Sequence, residues 1–393
     1  MYLDGNGFQM LPSHSQFMRI RFFESLDGLR ALSILGVIWS HVWYVSGPAY
    51  YNTLIKVPVL RNGAFGVSVF FGISGFLITT LLLREQLKNG RISLRDFYIR
   101  RTLRIWPLYY ATLALYIVLV LALQRGTGRD QVFFHYLPGY LTFTYTWFAG
   151  WEASGAIFNF AWSLSVEEQF YLIWAGVLRV LRGALPVILM CLMIGIRAAT
   201  DIGAVGRVVS TDSLAWRMAA GIAVPICLGA ILAQMLHSES WFLRIRPVLG
   251  HRWAAPFFFL ALIASLAPAA NIWDWVRWPA ACLLVAACVI REDNGMAWFL
   301  RWKLIAYIGV VSYGMYMLNT LVLDCLKPMF NKFGPHHPLL QFPIAVAATV
   351  LVAGLSYRFL ETPFLRLKER FSQLRSAKSP KVTDGAPVAA QQS

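Results

Sequence analysis

Apolar residues run through this chain in blocks of about twenty, separated by shorter polar stretches. A helix needs about 20 such residues to cross a bilayer. Ten windows of that kind can be read, near 30–47, 64–83, 107–124, 159–178, 184–200, 218–236, 253–270, 275–290, 304–325 and 342–360. The pattern predicts an all-α fold, a polytopic membrane helix bundle with about ten transmembrane helices. Residues 1–24 are polar and mixed, and read as a cytoplasmic N-terminal segment. Residues 25–367 read as one membrane domain. Residues 368–393, rich in Ser, Lys, Ala, Pro and Gln, read as a disordered cytoplasmic tail. The first span is long enough to stay as an anchor, so a cleaved signal peptide is not expected.

Composition agrees with the pattern. Of 393 residues, 58% are hydrophobic and 14% charged, against about 25% charged in soluble chains. Fifteen Trp, sixteen Tyr and twenty-seven Phe suit aromatic belts at two interfaces. The net charge of +16 invites a nucleic-acid reading, but its distribution argues against one. With the N-terminus placed in the cytoplasm, 23 of the 35 Lys and Arg fall on the inner side and ten on the outer. Seven of them lie in the 84–106 loop, and Arg30 and Arg358 lie at inner ends of spans. This split follows the positive-inside rule and predicts a multi-pass protein of the cell inner (plasma) membrane with both termini cytoplasmic. The five cysteines lie within or at the ends of spans, with no CxxC pair. They read as buried free thiols, with neither a disulfide framework nor a metal site.

Ionisable groups at membrane depth are costly and are functional candidates by default. Among seven histidines only His41 lies well inside a window. Arg30 precedes it by eleven residues, which returns to nearly the same helix face about 16 Å along the axis. Asp27 can orient the Arg30 guanidinium as an i,i+3 partner. In "DFYIRRTLRIWPLYY" (96–110), Arg100 and Arg104 are one turn apart with Arg101 beside them, and Pro107 is expected to open the third span. Such a cluster can enforce topology and meet anionic lipid, or it can fork onto the phosphates of a ligand. In "FNFAWSLSVEEQFYLIWAGVL" (158–178), Glu167 and Glu168 enter the fourth span to a depth of about 12 Å. Adjacent residues do not share a helix face, so one can line a cavity while the other pairs elsewhere. Glu167 and His41 are expected to meet near one depth. In "FGVSVFFGISGFLITTLLL" (65–83), Gly72, Gly75, Ser68 and Ser74 form a small-residue face suited to close helix packing. A nucleophilic Ser74 has no base beside it in sequence.

Four segments together resemble the acyltransferase 3 family of integral membrane acyltransferases, many of which O-acetylate bacterial surface carbohydrates. They are the Arg-x10-His spacing at Arg30 and His41, "FFGISGFLI" (70–78), "RRTLRIWPLYY" (100–110) and "WSLSVEEQFYLI" (162–173). The later "SYGMYMLN" and "ETPF" are similar to the family's closing helices, so the likeness runs from about residue 23 to 367. The resemblance implies transfer of an acyl group, acetyl above all, from cytoplasmic acyl-CoA to a hydroxyl of a cell-surface or exported carbohydrate such as an exopolysaccharide, O-antigen or lipo-oligosaccharide. It implies no tightly bound cofactor; acyl-CoA is the donor substrate. The partners it implies are the bilayer, acyl-CoA, a carbohydrate acceptor and polysaccharide-assembly proteins. It makes His41 the essential catalytic histidine, with Arg30 its motif partner and Glu167 the acid of its segment. Arg100 and Arg104, with Arg101, then suit the donor's phosphates. Glu167 is expected to fix the imidazole tautomer. One position departs from the family: many members carry histidine where this chain has Asn319, which cannot accept a proton at neutral pH. Some members append an extracytoplasmic esterase-like domain, for which no room is expected after residue 367.

Two other readings remain at this stage. One keeps the chemistry and makes the acceptor a small-molecule glycoside such as a macrolide. The other is a transporter or exporter of lipid-linked sugars, against which no paired inverted repeat is visible.

Overall fold

A computed structural model describes residues 11–46, 63, 65–149, 156–266, 274–334 and 337–369. Their regular structure is helical throughout. Helix α1 (His14–Arg19) precedes the long α2 (Glu24–Val45), α3 (Phe65–Asn89) and α4 (Leu94–Leu123). Two short helices, α5 (Arg129–Leu141) and α6 (Tyr145–Ala149), lead to α7 (Ala161–Val180) and α8 (Leu185–Asp201). Then come α9 (Leu214–Ala220), α10 (Val224–His237), α11 (Glu239–Leu249), α12 (Ala254–Ser265) and α13 (Asp274–Ile290). The chain closes with α14 (Ala297–Leu300), α15 (Lys303–Val310), α16 (Ser312–Phe333), α17 (Pro338–Ser356), a π turn (Tyr357–Glu361) and α18 (Thr362–Glu369).

By length and composition, four helices can cross a membrane: α2, α3, α4 and the stretch Pro338–Leu367. Three bent pairs raise the number to seven if each pair is one crossing: α9 with α10 (56°), α11 with α12 (74°) and α15 with α16 (76°). The sequence pattern predicts ten. The difference lies in helices such as α8 and α13, which have 17 residues each.

Small residues let the central helices touch. A Cβ on Gly75 would overlap the Ile226 carbonyl, and one on Gly229 would overlap the Gly72 carbonyl. The glycine face expected in 65–83 therefore seats α3 on the backbone of α10. Gly309 does the same for α15, whose backbone lies against Asp27 of α2. That approach places the broken α15–α16 unit beside the helix that carries Arg30 and His41.

Three sequence expectations change. The N-terminal segment is partly folded: Ser13 and Gln16 form a capping box, and α1 buries Phe17 among the rings of Phe23, Phe242 and His237. Helix α4 begins at Leu94 rather than at Pro107, because the Ser93 hydroxyl caps the Asp96 amide at 3.4 Å and starts the helix early. Pro107 sits within it, as membrane helices tolerate, and Arg100, Arg101 and Arg104 share that continuous helix. Cys191 and Cys325 are exposed, while Cys227, Cys282 and Cys288 are buried. The tail expected after residue 367 lies, from 370 onward, outside the described residues.

Candidate active site

Helix α2 is unbroken from Glu24 to Val45, so Arg30 and His41 do lie on one straight element. Arg30 donates to Asp27 Oδ1 at 2.8 Å, as the i,i+3 spacing predicts. Its end of the helix faces a cavity of about 330 Å³ whose walls carry six arginines, Arg21, Arg30, Arg84, Arg100, Arg101 and Arg104. Only two carboxylates, Asp27 and Glu85, share that lining, so the cavity is strongly cationic.

The arginines are held differently. Arg100 is ion-paired at 2.7 Å with Glu85, which is 4% exposed and also accepts from the Ser93 amide at 2.8 Å. Glu85 thus ties the start of α4 to the end of α3. Arg84 donates to the backbone carbonyls of Ile20 and Phe17. Arg101 lies over the rings of Tyr171 (5.3 Å) and Phe97 (5.9 Å). Arg104 makes no ion pair or hydrogen bond among the described residues, and Glu361 is the acid within its electrostatic reach.

A second cavity of about 120 Å³ shares Arg30, Ser74, Arg101, Arg104 and Tyr171 as walls with the first. Both Glu167 and Glu168 line it, although only one of them was expected to. Glu167 Oε1 accepts a hydrogen bond from Ser74, so the base that Ser74 lacks in sequence is supplied by α7 across the bundle. Glu168 accepts from Trp106 Nε1 at 3.3 Å. At the far wall, Ser163 and Tyr316 join hydroxyls at 2.6 Å.

His41 lines neither cavity. Its Nδ1 lies 2.6 Å from Asn319 Oδ1, and Asn319 is 0% exposed. The Asn319 amide nitrogen in turn donates to the carbonyls of Tyr316 (2.6 Å) and Met315 (3.1 Å). Tyr316 therefore belongs to both groups: its ring lines the second cavity and its carbonyl holds the partner of His41. The pairing of Glu167 with His41 expected from sequence is corrected here. Glu167 turns to Ser74 because α3 packs between α7 and α2, and the histidine finds α16 instead.

Of the residues singled out from sequence, Arg30, Arg101 and Arg104 line both cavities, Arg100 lines the first and Glu167 the second, and His41 lines neither. Sequence reasoning gave no site role to Glu85, Tyr171, Ser163 and Tyr316. Tyr171 was within reach, because it stands four residues after Glu167 and so on the same helix face. The others needed the bundle. Among the described residues no group of His, Cys, Asp or Glu is arranged to hold a metal ion.

With this geometry in view, the sequence profile of the acyltransferase 3 family, described as an acyltransferase domain, matches residues 23–358. The chain belongs to that family. Relatives include the peptidoglycan O-acetyltransferase OatA of Listeria monocytogenes, 26% identical over 367 residues, which cover 87% of this chain and 56% of the relative. A putative O-acetyltransferase of Staphylococcus aureus strain COL is 26% identical over 391 residues, 89% of this chain and 58% of its own. A putative peptidoglycan O-acetyltransferase of Bacillus subtilis, YrhL, is 25% identical over 375 residues, 87% and 55%. The chain spans a little over half the length of these curated relatives. No solved structure matches it.

Proposed function

We propose that this family member is a membrane O-acyltransferase that moves an acetyl group from acetyl-CoA to a hydroxyl of a cell-envelope or exported carbohydrate. The observation that carries this is the cationic cavity joined by shared walls to a second, carboxylate-lined one. A nucleotide thioester bears several phosphates at one end and a neutral reactive carbonyl at the other. Among the described residues Arg101 and Arg104 form no ion pair with a carboxylate, and they suit the phosphates, with Arg100 and Arg30 as paired neighbours. His41 stands about 16 Å along the α2 stripe from Arg30, a separation that an extended pantetheine arm would have to bridge. His41 takes the proton of the acceptor hydroxyl, the oxygen attacks the thioester carbonyl, and the CoA thiolate leaves and receives that proton. Glu167, with Ser74, holds a polar wall between the two cavities. The relatives' names, peptidoglycan O-acetyltransferases in two cases, favour a glycan acceptor over a small-molecule glycoside, and family membership favours transfer over export.

The reading includes a topology. Ten crossings, with both termini in the cytoplasm of a bacterial inner membrane, put the arginine cavity where acetyl-CoA is made. The positive-inside split supports that side.

The test compares envelope glycans and secreted glycosides by mass spectrometry in a deletion strain complemented with wild type or with His41→Ala. The expected result is an acetyl-sized, base-labile mass increment with wild type and none with the variant. The increment persisting with His41→Ala would remove the histidine from the chemistry. No glycan difference on deletion would remove the carbohydrate acceptor.

A further inference from the structure

Three of the described histidines have Nδ1 against a backbone group. His237 Nδ1 lies 2.7 Å from the Ala233 carbonyl, and the Nδ1 atoms of His251 and His337 accept from the amides of Trp253 and Leu339. His41 differs. It meets a side chain from a helix 278 residues away in sequence.

The direction of that bond follows from its surroundings. A primary amide has an acceptor oxygen and a donor nitrogen, and they cannot be told apart by shape. One terminal atom of Asn319 lies against two carbonyl oxygens, of Tyr316 and Met315. Only the nitrogen can sit there, because the oxygen would bring three acceptors together with no proton among them. The other terminal atom, facing His41, is therefore Oδ1. An oxygen that only accepts requires a donor, so Nδ1 of His41 must carry a hydrogen. A neutral imidazole has a single ring proton, and Nε2 is left with a bare lone pair. Asn319 is fully buried at the end of the helical turn, Met315 to Asn319, that its own side chain braces, so its orientation is fixed before any substrate arrives.

We infer that Asn319 is the positioning residue of this site: it holds the proton on Nδ1 of His41 and so makes Nε2 the basic nitrogen. The inference deepens the function proposed above and rests on His41 being the base there. It gives Asn319 a definite task. A neutral acceptor orients the ring without adding a charge to an apolar layer, whereas the carboxylate expected in that role, Glu167, is engaged by Ser74.

The experiment uses the full chain in lipid nanodiscs with 15N-labelled histidine, the His41→Ala spectrum assigning the signal. In wild type, Nδ1 is expected in its protonated form and Nε2 in its unprotonated form. In the near-isosteric Asn319→Leu, the form protonated on Nε2 is expected to appear. In Asn319→Asp, which keeps an acceptor, Nδ1 is expected to stay protonated. In membranes given radiolabelled acetyl-CoA, Asn319→Leu is expected to lower kcat by about 10–100-fold, by analogy with the loss of the orienting partner of a metal-ligating histidine, with KM for acetyl-CoA unchanged. Asn319→Asp is expected to restore part of kcat. A wild-type ring protonated on Nε2 overturns the proposal by itself, even if Asn319→Leu fails to fold. So does a spectrum that Asn319→Leu leaves unchanged. If instead His41→Ala keeps transferring label, the functional reading fails while the tautomer remains readable.

Discussion

The two ends of α2 solve the burial of a polar group in opposite ways. At the Arg30 end, charge is surrounded by charge: Asp27 pairs Arg30, Glu85 pairs Arg100, and Arg101 and Arg104 complete the wall of an open cavity. At the other end His41 itself makes a neutral hydrogen bond, to a fully buried amide. Cations in excess of their partners are tolerable only where water or an anionic ligand can reach them. A base that must gain and lose a proton needs a fixed tautomer and few competing partners. On the function proposed above, the contrast divides labour along one helix, with recognition of anionic groups at the charged end and proton chemistry at the neutral one.

Kinetics can separate the ends. The largest effect is expected from His41→Ala, a loss of about 10²–10⁴-fold in transfer, the range for removing a general base, with acetyl-CoA affinity kept. Arg104→Ala should do the reverse. Losing a hydrogen bond between charged groups costs about 1.5–3 kcal/mol, or roughly 10–100-fold in acetyl-CoA affinity, while the fold is expected to be kept because Arg104 makes no ion pair or hydrogen bond among the described residues. Equilibrium binding of acetyl-CoA by the two variants in nanodiscs decides this. Affinity lost on His41→Ala, or kept on Arg104→Ala, would dissolve the division. Arg100→Ala should mix the two outcomes, because it also strands the buried Glu85 carboxylate, and a lowered Tm is expected alongside weaker binding.

How far the sequence carries depends on which of these ends is considered. The Arg30 end is a matter of local spacing. An i,i+3 pair and arginines one turn apart are visible in a row of letters, and the helices place them as spacing predicts. The His41 end is a matter of long-range pairing. Nothing near residue 41 says that its ring meets residue 319, nor that Ser74 takes Glu167 away from it. Those contacts are set by glycines at helix crossings, Gly72 with Gly229 and Gly309 with Asp27, and the pairing of crossings is not written in any one window. The same holds for the broken spans. A window of twenty residues averages over the 76° bend between α15 and α16, so hydropathy merges what the backbone divides.

Gly309→Ala gives the crossings a direct measure. Its new methyl group would overlap the Asp27 carbonyl, on the residue that orients Arg30. Overpacking of this kind costs about 1–3 kcal/mol. Because α15 leads directly into α16, both ends of the site are expected to suffer together, with Tm, acetyl-CoA affinity and kcat all reduced. A variant that lowered one of the kinetic quantities alone would show that the two ends are seated independently.

The smallest effect belongs to the charged rim beyond the Arg30 end. Arg301 pairs with Glu24 at the first residue of α2, and Glu292 lies beside both. Burial pushes the Glu292 carboxyl up to about 7, with Arg301 pulling it down and Glu24 pushing it up. An unfolded glutamate titrates near 4.3, so between those values the folded chain holds a proton that the unfolded chain has lost. Stability must then fall as pH rises from about 4.5 toward 7 and level off above it. Glu292→Gln, which cannot ionise, is expected to reduce that slope without altering acetyl-CoA binding, as read from Tm and affinity across the same pH range. A slope that the substitution leaves unchanged would assign it to other groups. A change in affinity would extend the charge-held end of α2 out to this rim, and the boundary between recognition and scaffold would have to be drawn beyond Glu24.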